Sequence, residues 1–313
     1  MKRTANVSHT LSAPDLGDAA FAARFHDVAD AAAHIDGHSA FNEQALLDVR
    51  SGRRRPQLLL EGEDAVGAAI LGGGQIDLVV HPRYRRRGHA TAAIRRVFED
   101  EGGMSGDLTA WAHGNHPAAR ALADRFGFSA VRTLLQLERP LTEADGSPTL
   151  PADVSITPFR TGIAGEPGDA AEWVRLNALV FAEHPEQGAL TEADLAARQV
   201  EPWFDAGDLL LARATVPDAV PGAEPGPILG YNWLKVEPGA TLGEIYVLGV
   251  HPDAAGAGLG RALMLAGLAR LRDRGCTAVE LYVEAESTAP VRLYRSLGFA
   301  DRTVDVQYHR WPR

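Results

Sequence analysis

Apolar positions along this chain follow two alternating rhythms. Leu16, Phe21, Phe25, Val28 and Ile35 recur at helical spacing among many alanines, which predicts an amphipathic helix over 14–35. A short second helix is expected at 41–47. Denser apolar runs then predict strands at 57–60 and 65–71, joined by the acidic turn Glu61-Gly62-Glu63-Asp64. A third strand at 76–80 stops at His81-Pro82, because proline cannot continue a central ladder. Arg83 to Ala90 reads as a turn, followed by a helix at 91–101, a strand at 108–112, a helix at 117–125 and a strand at 128–137.

A polar stretch with Pro140, Pro148 and Pro151 reads as a linker over 141–153. The pattern then restarts. Strands are expected at 154–158, 209–212, 228–236, 245–250, 276–284 and 299–308. Helices are expected at 170–181, at 191–199 behind a Thr191-x-x-Asp194 cap, from Arg261 onward, and at 290–296. The segment 217–227, with four prolines, is expected to be a loop.

The two halves repeat. Leu78-Val79-Val80-His81-Pro82 matches Leu248-Gly249-Val250-His251-Pro252, 170 positions later, and the same offset sets Gly88 on Gly258. Arg125-Phe126-Gly127-Phe128 matches Ser296-Leu297-Gly298-Phe299 at an offset of 171. A duplicated module is the economical reading. The expected fold class is α/β in the α+β sense: two tandem domains, each a mixed, mostly antiparallel sheet flanked by helices. The expected boundaries are 1–140, a linker at 141–153, and 154–313.

In both halves a strand runs into a turn and then a helix start, with glycines at 256, 258 and 260 in the second copy. Converging backbone N–H groups and a helix N-terminus suit a diphosphate. Other chemistry fits less well. Gly256 and Gly258 begin a Gly-x-Gly-x-x-Gly pattern, but Arg261 breaks it, which argues against a dinucleotide fold. The eleven histidines are scattered without a His-x-x-x-His pair beside a carboxylate, so no metal is expected. The single cysteine, Cys276, excludes an internal disulfide framework and reads as a packed thiol. A net charge of −10 argues against general nucleic-acid binding. No apolar run is long enough for a membrane span and no apolar signal core follows Met1, so a cytoplasmic protein, expected to be a monomer, fits best.

Arg85-x-x-Gly88-x-Ala90 resembles the acyl-CoA loop of the GCN5-related N-acetyltransferases. Ala255-x-x-Gly258-x-Gly260 keeps the small residues of that loop and lacks its leading Arg or Gln. Tyr294-x-x-x-Gly298-Phe299 also looks like that superfamily. Further residues are His184-Pro185-Glu186-Gln187-Gly188, Trp233-x-Lys235-Val236 and Glu244-x-Tyr246-Val247-Leu248-Gly249-Val250. With them, nearly the whole chain resembles a tandem branch of the family. Enzymes of that branch acetylate the cysteinyl amine of a cysteine–glucosamine–inositol conjugate, with acetyl-CoA as donor.

The resemblance implies specific residues. Acetyl-CoA contacts are expected from Leu78, Val79, Val80, Arg86, Arg87, Gly88, His89, Ala90 and Thr91 in the first half. In the second half they are expected from Leu248, Gly249 and Val250, and from Ala255, Gly256, Ala257, Gly258, Leu259, Gly260 and Arg261. Ser287, where the family usually has Asn, and Thr288, Ala289, Pro290, Val291 and Arg292 complete that set. Acceptor contacts are expected from Glu43, Glu186, Lys235, Glu244 and Tyr282.

The repeat distinguishes the halves. Glu244 aligns with Gly74 and Tyr294 with Ala123, so both proton-transfer groups belong to the second half. An α-amine with pKa of about 7.7–8.0 needs a base before it attacks, which is the role expected of Glu244. Tyr294 is expected to give a proton to the departing thiolate, and a backbone N–H near Leu248 to hold the carbonyl oxygen. Amine and thioester react within one ternary complex, so no covalent intermediate is required. The first half, with Arg83, Arg85, Arg86 and Arg87 beside Gly88, is expected to bind CoA without turnover, although a solvated basic patch would look the same. Asp77 and His113 are its residual candidates for chemistry. Acetylation of another small amine or a peptide N-terminus, and a non-enzymatic CoA-binding module, are the alternatives.

Overall fold

The first long helix starts where Asp18 can cap it: its carboxylate accepts the N–H groups of Ala20 at 2.9 Å and Phe21 at 3.1 Å. The structure, a computed structural model, describes residues 9–12, 17–143, 145, 148–162, 168–183, 187–215 and 226–312, with 101–106 excepted. In chain order the elements are β1 (His9–Ser12), α1 (Ala19–Asp36), α2 (Glu43–Arg50), β2 (Arg55–Glu61), β3 (Asp64–Gly72), β4 (Gln75–Val80), α3 (His89–Asp100), β5 (Leu108–Ala112), α4 (Pro117–Phe126) and β6 (Ser129–Pro140). They continue with β7 (Val154–Pro158), α5 (Ala170–Val180), α6 (Glu192–Gln199), β8 (Leu209–Ala214), β9 (Ile228–Lys235), β10 (Leu242–Val250), α7 (Leu259–Asp273), β11 (Ala278–Glu284), α8 (Thr288–Ser296) and β12 (Ala300–Arg310). The expected cap of α6 is present as a full capping box between Thr191 and Asp194. Strand β1 is additional to the elements expected from sequence, and the segment 217–227 lies almost wholly outside the described residues.

The chain divides into two compact units, one of residues 1–135 with 303–313, the other of 136–302. The C-terminal strand therefore belongs with the first half of the chain. The cause is a ladder: β12 pairs antiparallel with β5 from Val306–Ala112 to Arg310–Leu108. His113 Nδ1 and the Gly114 N–H both bond the Asp305 carboxylate, at 2.7 and 2.8 Å, and hold the same edge.

In the first unit the strand order is β1-β2-β3-β4-β5-β12. Pairing is antiparallel except between β4 and β5. Phe21, Phe25 and Val28 of α1 pack with Phe41 and Ala45 on Leu58, Ala68 and Ile70 of the sheet. Val97 and Phe98 of α3 pack with Ile76 and Leu108 in a second cluster.

In the second unit the order is β6-β11-β10-β9-β8-β7, and β10 pairs parallel with β11. One cluster joins Trp173 and Leu176 of α5, Leu195 of α6, and Trp203 to Tyr231, Trp233 and Val247 of the sheet. The other joins Leu259 and Leu263 of α7 to Ala212, with Leu248 and Val250 packed against it. Cys276 is buried as expected, and burial pushes its thiol up.

Candidate active site

Strand β10 runs down the middle of the second unit. Glu244 lies across from Lys235 of β9 on one side and Glu280 of β11 on the other. Residues directly opposite in a ladder share a face, so these three side chains leave the sheet together. The parallel ladder runs from Leu242–Ala278 to Ile245–Leu281, while β10 continues to Val250 with its pairing on the β9 side. The two parallel strands thus part just beyond Glu244. A β-bulge lies between Ile245 and Val247 at the same place, and such an extra residue re-aims side chains and bends its strand. The first unit repeats the divergence: among the described residues, β4 and β5 pair at Gln75–Thr109.

Beyond β10, His251 caps a short turn by accepting the Asp253 N–H at 3.1 Å. His81 does the same for Arg83 at 3.2 Å, so the repeated histidines have a turn role. Gly256 and Gly258 follow with φ of 85° and 83°, the left-handed region open to glycine. Residues 255–258 are exposed, and Gly258 caps α7 without a side-chain bond. The N-terminus of α7 thus follows an exposed left-handed loop, a setting that favours an anion. Leu259, Gly260 and Arg261 form the first turn of this helix, and Leu248, Gly249 and Val250 end β10.

The corresponding loop of the first unit differs. Arg86 takes the place of Gly256 and adopts φ of 64°, a conformation that costs an L side chain energy. Arg85, the leading arginine of the motif, is bound on both guanidinium nitrogens to Asp36, each at 2.7 Å, and its Nε donates to the Val80 carbonyl at 3.0 Å. That hydrogen bond holds the Asp36 carboxyl below its usual range. Arg87 lies over the Tyr84 ring at 5.4 Å, while Arg83, Arg86 and Arg87 are exposed. The four clustered arginines thus separate into one structural pair and three solvent-facing groups. Leu78, Val79 and Val80 end β4, Gly88 precedes α3, and His89, Ala90 and Thr91 open it. Of the residual candidates, Asp77 is buried against Arg54 at 2.7 Å and His113 is held by Asp305, so both serve packing within the unit.

Lys235 is seated on aromatic rings: its ammonium is 5.1 Å from the Trp203 centroid and 5.7 Å from that of Tyr246. Arg198 Nε donates to the Tyr246 hydroxyl at 3.0 Å. On the other side of Glu244, Glu280 accepts from Gln136 Nε2 at 2.7 Å and Arg302 at 2.6 Å. Burial pushes the Glu280 carboxyl up, against the pull of Arg302 and Gln136. Gln136 also donates to the Tyr282 hydroxyl at 2.9 Å. Tyr282 is exposed on β11. Glu43 is the first residue of α2 in the other unit, behind its Asn42 cap. Glu186 lies outside the described residues.

Ser287 precedes α8 and makes no side-chain cap bond; Thr288, Ala289, Pro290, Val291 and Arg292 form the first turns of that helix, which begins two residues earlier than the expected 290. Tyr294 is buried on its last turn, edge-on to Phe299 at 6.0 Å between ring centroids. Burial raises its phenol to about 12. Arg198, Trp203, Gln136 and Glu280 stand outside the residues expected from sequence. Alternation along β11 does carry a signal for Glu280, which sits two residues before Tyr282 and on its face.

Parallel strands that part beside a carboxylate, followed by a left-handed glycine loop and a helix N-terminus, form the layout of an acyl-CoA-dependent transferase. Residues 36–128 and 184–299 match the Acetyltransferase (GNAT) family, so this class is present twice in the chain. A tandem GNAT protein from the clavulanic acid biosynthesis pathway shares the fold, with a TM-score of 0.71 at 20% identity over 97% of this chain and 98% of that one. A GCN5-related N-acetyltransferase from Sphaerobacter thermophilus does so at 0.66 and 22%, over 96% and 95%. Relatives named mycothiol acetyltransferase are closer in sequence. That of Thermomonospora curvata is 45% identical, covering 91% of this chain and 92% of its own length. That of Clavibacter sepedonicus is 43% identical over 97% and 95%. The chain belongs to the mycothiol acetyltransferase family and is an acyltransferase. Among the described residues no His, Cys, Asp and Glu group could hold a metal ion, and no helix is long and apolar enough to cross a membrane.

Proposed function

We propose that the protein transfers the acetyl group of acetyl-CoA to the cysteinyl amine of a cysteine–glucosamine–inositol conjugate, the last step of mycothiol formation, and that the second unit performs the chemistry. The observation that carries this reading is the position of Glu244, at the point where β10 and β11 part and across from Lys235. The pantetheine arm lies along the free side of Leu248, Gly249 and Val250. Its diphosphate sits on the loop from Ala255 to Arg261, and α8, from Ser287 to Arg292, flanks it. The acceptor is held by Lys235, Tyr282 and Glu186; the role of Glu43 rests on the family resemblance alone.

Glu244 takes the proton of the ammonium, directly or through water, because only the neutral amine has a lone pair to attack with. As nitrogen bonds to the acetyl carbon, the carbonyl oxygen gains charge, and a backbone N–H near Leu248 meets it. The C–S bond then breaks. A phenol raised to about 12 stays protonated throughout the neutral range. Complete transfer from it to a thiolate of ordinary pKa ~8.5 is uphill, so Tyr294 works chiefly as a hydrogen-bond donor to the leaving sulfur. The products are the amide and CoA.

The first unit, in this reading, holds CoA without turnover on Leu78 to Val80 and on the loop from Arg86 to Thr91. The protein acts in the cytoplasm as a monomer. Purified protein, acetyl-CoA and the conjugate provide the test. The product should gain one acetyl group while its thiol remains reactive toward a disulfide reagent. CoA release with other amines but not with this conjugate would favour a different small-amine acceptor.

A further inference from the structure

Gln136 belongs to none of the contact sets expected for donor or acceptor, yet it lies at the acceptor side of the second unit. Its side chain is 5% exposed, whereas Tyr282, which it bonds, is 42% exposed. One amide nitrogen makes both contacts, 2.7 Å to Glu280 Oε2 and 2.9 Å to the Tyr282 hydroxyl oxygen. A carboxylate accepts only, so Glu280 fixes which end of the amide faces it. With its nitrogen end so fixed, the amide directs its second N–H to the phenol oxygen. An oxygen that accepts from Gln136 presents its own O–H as a donor to the group it meets on the open side. Arg302, at 2.6 Å, keeps Glu280 anchored. Glu280 in turn is the register partner of Glu244.

We propose that Gln136 is a positioning residue of the acceptor site: together with Glu280 it fixes the Tyr282 phenol as a hydrogen-bond donor to an oxygen of the acceptor's polyol portion. This rests on the proposed acceptor, and it adds a residue that touches neither substrate. The buried amide sets the direction of an exposed hydroxyl, and the carboxylate beside the catalytic base sets the amide.

The test is a cycle of Gln136→Leu, Tyr282→Phe and the double variant, assayed by CoA release. Gln136→Leu should lower kcat/KM for the conjugate by about 3- to 10-fold through a higher acceptor KM, the scale of one hydrogen bond, with the acetyl-CoA KM unchanged. In the Tyr282→Phe background the same substitution should cost almost nothing further. Equal losses in both backgrounds, or an unchanged acceptor KM, would overturn the proposal. A second readout needs no acceptor: in tyrosine labelled with 13C at Cζ, the resonance lost in Tyr282→Phe should move in Gln136→Leu, and an unmoved resonance is equally contrary. If the leucine variant does not fold, Gln136→Met, close in shape and without an amide donor, carries the same expectations. A wild type inactive on the conjugate refutes the proposed acceptor, and the resonance still decides the role of Gln136.

Discussion

Lys235 and Glu244 are direct partners across the β9–β10 ladder, and the lysine is held over the Trp203 and Tyr246 rings. The seat restricts a side chain that otherwise has many rotamers, so less entropy is lost when an acceptor arrives. Lys235→Met keeps the apolar stem and removes the charge. We expect the acceptor KM to rise by about 10- to 150-fold, the range of a charged hydrogen bond, with the acetyl-CoA KM unchanged. Steady-state kinetics with each substrate varied checks this.

Tyr294, proposed as the donor to the leaving sulfur, also bears on alkaline stability. Its phenol ionises at about 12 in the folded protein and near ~10 when unfolded. Its contribution to stability is therefore complete below pH ~10 and is lost as pH rises from there through 12. Tyr231, also buried and also raised, loses stability in the same direction. Tyr294→Phe should therefore lower turnover at neutral pH and flatten, without abolishing, the decline of stability above pH ~10. Denaturant titrations across that range measure it.

The two loops make opposite predictions. Gly256→Ala forces a side chain into a φ of 85° and should cost about 1 kcal/mol and raise the acetyl-CoA KM. Arg86→Gly relieves the strained φ of 64° at the equivalent place and offsets the greater freedom of an unfolded glycine, so stability should be equal or up to ~1 kcal/mol higher. Thermal melting of both variants decides it.

Asp169 is 1% exposed and lies 2.7 Å from both Arg213, itself buried, and Arg160. Burial raises its carboxyl, but the Arg160 bonds and the Arg213 charge outweigh this and leave it below the ordinary value. Its stabilisation is present above pH ~3.9 and is lost as pH falls through the depressed folded value. Asp169→Ala leaves Arg213 a buried charge without this partner and should destabilise by about 3 kcal/mol, read as a lower denaturant midpoint.

The local layout around Glu244 was legible in the sequence because it rests on local signals. His-Pro stops, left-handed glycines and the alternation of Leu242 to Val250 are properties of short segments, and the repeat located Glu244 and Tyr294 in one half by difference. The membership of β12 in the first unit was not legible, because strand pairing across 190 residues leaves no periodic trace. Neither was the commitment of Arg85 to Asp36, since a basic loop reads alike whether its charges face phosphate or a helix end. Gln136 and Glu280 escaped for the same reason: their meaning comes from strands that meet only in the fold.

Glu244 is the proposed base of acetyl transfer in the second unit. Single-turnover measurement of CoA release by Glu244→Gln, with saturating acetyl-CoA and the conjugate from pH 6 to 9, tests this role most directly. The expected result is a loss of about 10²- to 10⁴-fold in the chemical step, with acetyl-CoA affinity close to wild type and partial recovery at high pH, where the amine is already neutral. A chemical step as fast as the wild type, with the same pH dependence, would exclude Glu244 as the base.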